Sequence, residues 1–354
     1  MKALILAGGK GTRLRPITFT RAKQLVPVAN KPILFYAIEA IRDAGIDEVG
    51  VIVGDTADEV RAALGDGSDW GVSITYIPQD APLGLAHAVR IAEEFMAGEP
   101  FVMYLGDNLI ADGITPFVDE FRAGGCHAQI LLAHVPNANQ FGVAELGADG
   151  AIIRLVEKPV DPPSDLALVG VYLFDATVFE AVNAIKPSAR GELEITDAIQ
   201  WLVDNGRTVR PHVITGWWKD TGKLDDMLEA NRIVLDTIVT AIDGDVDEAS
   251  SIHGRVRIGR GATVVNSTLR GPAVIGEGCR IADAYVGPYS SIGDGCVVSG
   301  SEMEHSIILA GARIEDLSLR LLDSLVGCNA VVRSSGATPA GYRVMLGDNS
   351  EIDL

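Results

Sequence analysis

The chain has 354 residues and a mass of 37.4 kDa, enough for two domains at roughly 100–200 residues each. Hydrophobic residues make up 47% of it and the mean hydropathy is +0.23, which excludes a disordered chain, because such chains bury too little to offset their conformational entropy. Lys and Arg number 29 against 48 Asp and Glu, a net charge of −19 that repels nucleic acid and anionic membranes, so an anionic ligand must be held by basic residues gathered locally. Cys126, Cys279, Cys296 and Cys328 have neither the C-x-x-C pairing of a zinc site nor the density of a disulfide scaffold, and a reducing compartment is expected. The apolar run 3–7 is too short for a signal-peptide core or a membrane span, which points to a cytoplasmic protein.

Short β-rich runs alternate with amphipathic helical ones over the first two thirds, the pattern of a mostly parallel sheet covered by helices in an α/β fold. Strands are predicted over 3–6, 49–53, 74–77, 101–105 and 130–135. Leu34, Ile38 and Ile41 repeat at helical spacing before Gly45, and 84–95 is a further helix candidate. The runs 143–146 and 152–156 flank Asp149-Gly150, a hairpin signal that inserts an antiparallel element. Helices follow over 177–185, 195–205 and 224–235.

An acidic, small-residue segment at 243–251 marks a change of text, and the chain divides there into domains of 1–240 and 241–354. Beyond it, Ile258-Gly259, Ile275-Gly276 and Ile292-Gly293 open copies of one motif, with looser copies at Leu309 and Val326, each 17 residues after the last. A fixed period with an aliphatic residue inside and Gly at the corner is what a β-solenoid needs, since no coil buries its face until its neighbours stack on it. Cys279 and Cys296 occupy matching positions and read as small inward groups.

After the first strand comes Leu6-Ala7-Gly8-Gly9-Lys10-Gly11-Thr12-Arg13-Leu14-Arg15-Pro16. Glycines let backbone N–H groups approach a phosphate, and the arginines supply charge that the chain otherwise lacks. The spacing is neither that of a P-loop nor G-x-G-x-x-G, and alone it serves a structural turn as well as a ligand. Asp107 follows a strand end, where open α/β sheets bind ligands, and Asp220 stands in a separate loop. Two carboxylates from distant segments can hold one Mg²⁺, which accepts oxygen ligands and keeps water and phosphate in its shell.

The glycine run together with Lys23-Gln24-Leu25-Val26-Pro27, Gln79, Pro82-Leu83-Gly84-Leu85-Ala86, Leu105-Gly106-Asp107-Asn108, Phe141-Gly142-Val143, Glu157-Lys158-Pro159, 190–197 and Trp218-Lys219-Asp220-Thr221-Gly222 resembles the sugar-1-phosphate nucleotidylyltransferase family, over nearly all of 1–236 and in the family's order. The closest likeness is to its thymidylyltransferase branch, in the long form that ends in a left-handed β-helix of hexapeptide repeats. Here the period of 17 is one short of three hexapeptides, which implies a clipped corner in each coil. The resemblance implies transfer of a thymidylyl group from dTTP to glucose 1-phosphate with Mg²⁺ held by Asp107 and Asp220, and a homo-oligomer. It assigns Leu6, Gly8, Gly9, Gly11, Thr12, Arg13, Gln24, Gln79, Pro82, Gly84 and Asp107 to the nucleotide. Gly142, Glu157, Lys158, Val169, Arg190 and Trp218 fall to the sugar phosphate, and Arg13, Lys23, Asp107 and Lys158 to catalysis. Two rivals stand beside this reading: a UTP-dependent (amino)sugar-1-phosphate enzyme, and a silent sugar-nucleotide-binding regulatory paralogue.

Overall fold

The computed structural model describes residues 1–9, 11–111, 113–334 and 342–353. Contacts divide the chain into two units, Met1–Lys10, Arg21–Leu25 and Ile33–Asp220 in the first, and Gly11–Thr20, Val26–Pro32 and Thr221–Leu354 in the second.

The first unit is built on a nine-stranded sheet. Its strands are β1 (Lys2–Leu6), β2 (Glu48–Val53), β3 (Ser73–Pro78), β4 (Phe101–Leu105), β6 (Ala128–His134), β7 (Gly142–Leu146), β8 (Ile152–Glu157), β9 (Leu166–Phe174) and β10 (Val209–Val213). Two short strands, β5 (Asn108–Ile110) and β11 (Trp218–Asp220), form a separate ribbon. The sheet runs β8-β7-β9-β4-β1-β2-β3, with β6 and then β10 branching from β9. As the alternating text requires, β4, β1, β2 and β3 are parallel.

The antiparallel part exceeds the hairpin read at Asp149-Gly150. β9 runs antiparallel to β4, β6 and β7, and it was not read from the sequence. Its residues LALVGVYLF lack polar alternation because both faces are covered: Leu168, Tyr172 and Phe174 enter one core, Val169, Val171 and Leu173 the other. Helices α3 (Leu85–Ile91), α6 (Val178–Ala184) and α7 (Ile195–Asp204) bury apolar stripes in the first core. In the second core lie those of α1 (Ile33–Asp43), α2 (Ala57–Leu64) and α5 (Thr115–Arg122). The helix expected over 84–95 begins only at Leu85 and breaks at Ala92 into α3 and α4 (Glu93–Met96), because the Ala92 N–H turns back to Val89 and does not continue the helical ladder.

In the second unit, α8 (Leu224–Leu235) precedes coils whose strands form three parallel sheets of six, six and four strands, in keeping with the expected left-handed β-helix. The inward positions Ile258, Val264, Leu269 and Ile275 advance by 6, 5 and 6 residues, and the clipped corner carries left-handed Asn266, or Asp283 one coil on. The strict period of 17 needs one correction. Ile292 stacks on Ile308, not Leu309, and Ile308 on Val326, so the steps are 17, 17, 16 and 18. A coil shortened between Met303 and Ile308 is followed by one lengthened before Leu321, which bridges to Met303 and restores the stack. Cys279 and Cys296 lie inside it, 1% and 0% exposed.

Asn231 of α8 is wholly buried against the coils. Its Oδ1 accepts from the Ala29 N–H at 2.9 Å and the Ser291 hydroxyl at 2.6 Å, and its Nδ2 donates to the Tyr289 carbonyl at 3.0 Å. Among the described residues no helix is long and apolar enough to cross a membrane. All four cysteines are free thiols.

Candidate active site

Parallel strands end together, so the C-terminal ends of β1, β2, β3 and β4 bring their following loops to one edge of the sheet. Leu6 closes β1, and its carbonyl accepts from the Gly106 N–H at 3.0 Å. A Cβ on Gly106 would stand 3.0 Å from that same oxygen, so the turn into Asp107 is built on glycine. Gly8 and Gly9 follow. A Cβ on Gly8 would lie 3.6 Å from Gln79 Oε1, and one on Gly9 3.5 Å from Gln24 Nε2, so the two predicted base-side amides do flank the glycine turn. Gln24 is 2% exposed, and its Oε1 is buried without a hydrogen-bond donor among the described residues. Gly84, before α3, has φ +104°, and a Cβ there would meet the Leu193 carbonyl at 2.3 Å, so no other residue fits. Pro82 lies exposed in the loop before it. Lys10 lies outside the described residues, and Gly11, Thr12 and Arg13 belong to the second unit.

Lys23 joins the two carboxylates expected at the site. Only 6% exposed, its ammonium lies 2.5 Å from Asp107 Oδ2 and 3.6 Å from Asp220 Oδ1. Asp220 was expected in a loop. It instead ends β11, whose antiparallel pairing sets it opposite Asn108 and so beside Asp107. Burial pushes the Asp107 carboxyl up, but the Lys23 ammonium, with a hydrogen bond from Asn108, outweighs it and holds the group below the ordinary carboxylate range. One cation therefore already reaches both carboxylates. Hard oxygen donors in a pair suit Mg²⁺, which needs only one or two carboxylates and fills its shell with water and phosphate. Among the described residues there is no group of three or more His, Cys, Asp or Glu that would suit a more demanding ion.

A supporting chain stands behind Asp107. Asn108 Nδ2 donates to Asp107 Oδ1 at 2.9 Å, and Trp218 Nε1 donates to Asn108 Oδ1 at 2.6 Å. The Trp218 ring meets Phe141 edge to face at 5.3 Å. Trp218 thus has its N–H committed to Asn108. Asn108, quoted in the sequence only as part of a motif, and Gly170, not read there at all, support this chain: a Cβ on Gly170 would stand 2.5 Å from Asn108 Oδ1. The signal was present, since a glycine inside an apolar strand marks a close approach.

Four of the residues expected at the sugar phosphate, Gly142, Glu157, Lys158 and Arg190, come together where β7 pairs with β8 and Gly142 faces Glu157. A Cβ on Gly142 would meet Thr196 Cγ2 at 2.6 Å and Glu157 Oε2 at 3.1 Å. Lys158 takes the left-handed conformation, φ +42°, as its N–H donates to the Phe141 carbonyl at 3.0 Å. Arg190 Nη1 lies 3.3 Å from Glu157 Oε1 and 3.5 Å from Glu194 Oε1, while Nη2 is 3.2 Å from Glu192. Burial, then the nearby Glu194 carboxylate, raises the Glu157 carboxyl above its ordinary value. Glu194, 4% exposed, was not singled out in the sequence. The Val169 side chain is wholly buried in the second core, so only its main chain, at the interrupted ladder of β9, is left to meet a ligand.

The nucleotidyl transferase family profile matches residues 2–237. Over its whole length the chain is 56% identical to glucose-1-phosphate thymidylyltransferases of Streptomyces griseus and Streptomyces antibioticus, and covers 99% of each. Among solved structures it is similar to a Bacillus anthracis protein assigned as a glucose-1-phosphate thymidylyltransferase, in complex with sucrose, at TM-score 0.64 and 38% identity, over 68% of this chain and 98% of that one.

Proposed function

Since the chain belongs to the nucleotidyl transferase family, we propose that it is a glucose-1-phosphate thymidylyltransferase, joining dTTP and glucose 1-phosphate into dTDP-glucose with release of pyrophosphate. The observation that carries this is Lys23 set between Asp107 and Asp220 at the strand ends, beside a glycine turn flanked by two glutamine amides.

An oxygen of the sugar phosphate attacks the α-phosphorus in line, the bond to the β,γ-pyrophosphate breaks, and no side-chain nucleophile is required. The task is to bring two polyanions together and to spread charge. Lys158 and Arg190 grip the sugar phosphate, with Glu157 and Gly142 at the sugar hydroxyls. Arg190 exchanges its carboxylate partners for phosphate as substrate enters. Lys23 neutralises phosphate charge at the reacting centre, and Gly8, Gly9, Gly11, Thr12 and Arg13 serve the triphosphate, Arg13 taking charge from the leaving pyrophosphate. Gln24 and Gln79 face the base. Asp107 and Asp220 would hold Mg²⁺, which when bound neutralises phosphate charge. Residues 1–240 carry this chemistry, and the coils of 241–354 serve assembly of a cytoplasmic homo-oligomer.

The test is pyrophosphate release with Mg²⁺ across dTTP, UTP, ATP, GTP and CTP, each with glucose, glucosamine and N-acetylglucosamine 1-phosphates. Preference for dTTP with glucose 1-phosphate is expected. Activity confined to UTP and an amino sugar moves the chain to another branch, and silence with every pair refutes the assignment.

A further inference from the structure

His87 stands in the first turn of α3, one step behind the residues assigned to the base. Its Nδ1 lies 3.0 Å from Gln79 Nε2, and the same Nε2 lies 3.4 Å from the Gly84 carbonyl. A carbonyl only accepts, so the nitrogen end of the amide is the end that faces Gly84, and His87 must offer it a lone pair at Nδ1. The imidazole is suited to that. Burial, then Arg90 on the same helix, lowers its basicity, against the opposing charge of Asp80 in the preceding loop. With Nε2 held from behind, Gln79 Oε1 is the end left at Gly8, while Gln24 presents Nε2 to Gly9.

We propose that His87 is a specificity-determining positioning residue, which by accepting from Gln79 Nε2 fixes the hydrogen-bond polarity of the base pocket. A donor from Gln24 at Gly9 and an acceptor from Gln79 at Gly8 match a base edge that carries a carbonyl next to an N–H. Thymine and uracil have that edge at N3–H. Cytosine has a lone pair at N3, which would face the Gln79 oxygen, and a site built to pair with an N–H rejects the analogue that lacks it far more strongly than a merely apolar pocket does. A free amide could turn over and serve either base. His87 prevents the turn without touching the nucleotide itself. The inference rests on the assignment of Gln24 and Gln79 to the base.

The experiment measures kcat and KM of the full-length enzyme for dTTP and dCTP, which share their sugar and phosphates, in the wild type, His87→Ala and His87→Asn, with thermal melting as a check on folding. Asparagine can place Oδ1 near the Nδ1 position, so it keeps an acceptor. For His87→Ala the expected result is a KM for dTTP raised about tenfold with kcat within about twofold, and a dTTP over dCTP preference narrowed by about tenfold or more, the scale of one lost orienting hydrogen bond. His87→Asn should restore both. Unchanged KM and preference in His87→Ala, or a loss that His87→Asn leaves in place, overturns the proposal while the functional assignment stands. A folded wild type that does not turn over dTTP overturns the assignment and this inference with it.

Discussion

Replacing Gly222 by alanine separates folding from catalysis in this protein. Gly222 lies outside the left-handed region, so its backbone accepts a side chain. What occupies the space is the Arg13 guanidinium: a Cβ at position 222 would stand 2.7 Å from Nη2, 3.0 Å from Cζ and 3.1 Å from Nη1. Ordinary non-bonded contacts begin at about 3.5 Å, so the guanidinium must withdraw by about 0.5–1 Å. It is the far end of a flexible, exposed side chain and can do so at little cost, and stability should stay within about 0.5 kcal/mol of wild type. Catalysis has less tolerance, since a displacement of about 1 Å of a charge-stabilising group can cost about 100-fold. Gly222→Ala should therefore lower kcat/KM by about 10–100-fold, equivalent to about 1.4–2.7 kcal/mol of transition-state stabilisation. Continuous pyrophosphate release gives the rate constants, and urea denaturation followed by circular dichroism gives the stability. A stable variant that turns over like wild type would refute both the geometric argument and the charge-stabilising role given to Arg13.

Further outcomes follow from the same structure. Asp107→Asn removes the carboxylate that Lys23 contacts most closely and one of the two proposed Mg²⁺ ligands, and should lower kcat by about 100-fold or more with the fold intact; chelation of Mg²⁺ should silence the wild type reversibly, as read by pyrophosphate release. Glu157 has a raised pKa in the fold, so the native state holds its proton more tightly than the unfolded chain, and the stability this contributes is present below the ordinary glutamate value and lost as pH rises through the folded one. Thermal melting of Glu157→Gln should accordingly match wild type near pH 4 and move above it as pH rises to 7; a constant gap would contradict the burial argument. Asn231→Ala strips three buried hydrogen bonds and leaves the Ala29 N–H and Ser291 hydroxyl without their acceptor, which should cost about 2–4 kcal/mol in urea denaturation.

The site was legible in type and illegible in assembly. Glycines at 8, 9 and 84 could be read as close approaches; the structure bears this out at Gly84, where a side chain is excluded, while Gly8 and Gly9 leave room for one in ordinary contact. Lys23, Asp107 and Asp220 could each be named, but nothing in their local text says that one ammonium touches both carboxylates. That depends on β11 pairing with β5 across more than a hundred residues, and both strands are three residues long, too short to show a period. The direction of the Val169 side chain is illegible for a related reason. In a strand covered on both faces every residue is apolar, so the text does not say which way a side chain points.

What the sequence determined alone was whatever repeats or turns locally. The inward aliphatic of each coil, its glycine corner and the clipped third turn are properties of a single coil, and stacking copies them along the axis. The alternation of βα text likewise specified parallel strands whose ends gather ligand-binding loops. What only the tertiary structure decided was which distant groups share one space: Asn108 held between Trp218 and Asp107, Arg190 among three carboxylates, His87 behind Gln79, and one coil shortened by a residue that the next coil returns. Local geometry is written in the spacing of neighbours along the chain. Charge pairing and amide orientation are energies between neighbours in space, and these exist only once the chain has folded.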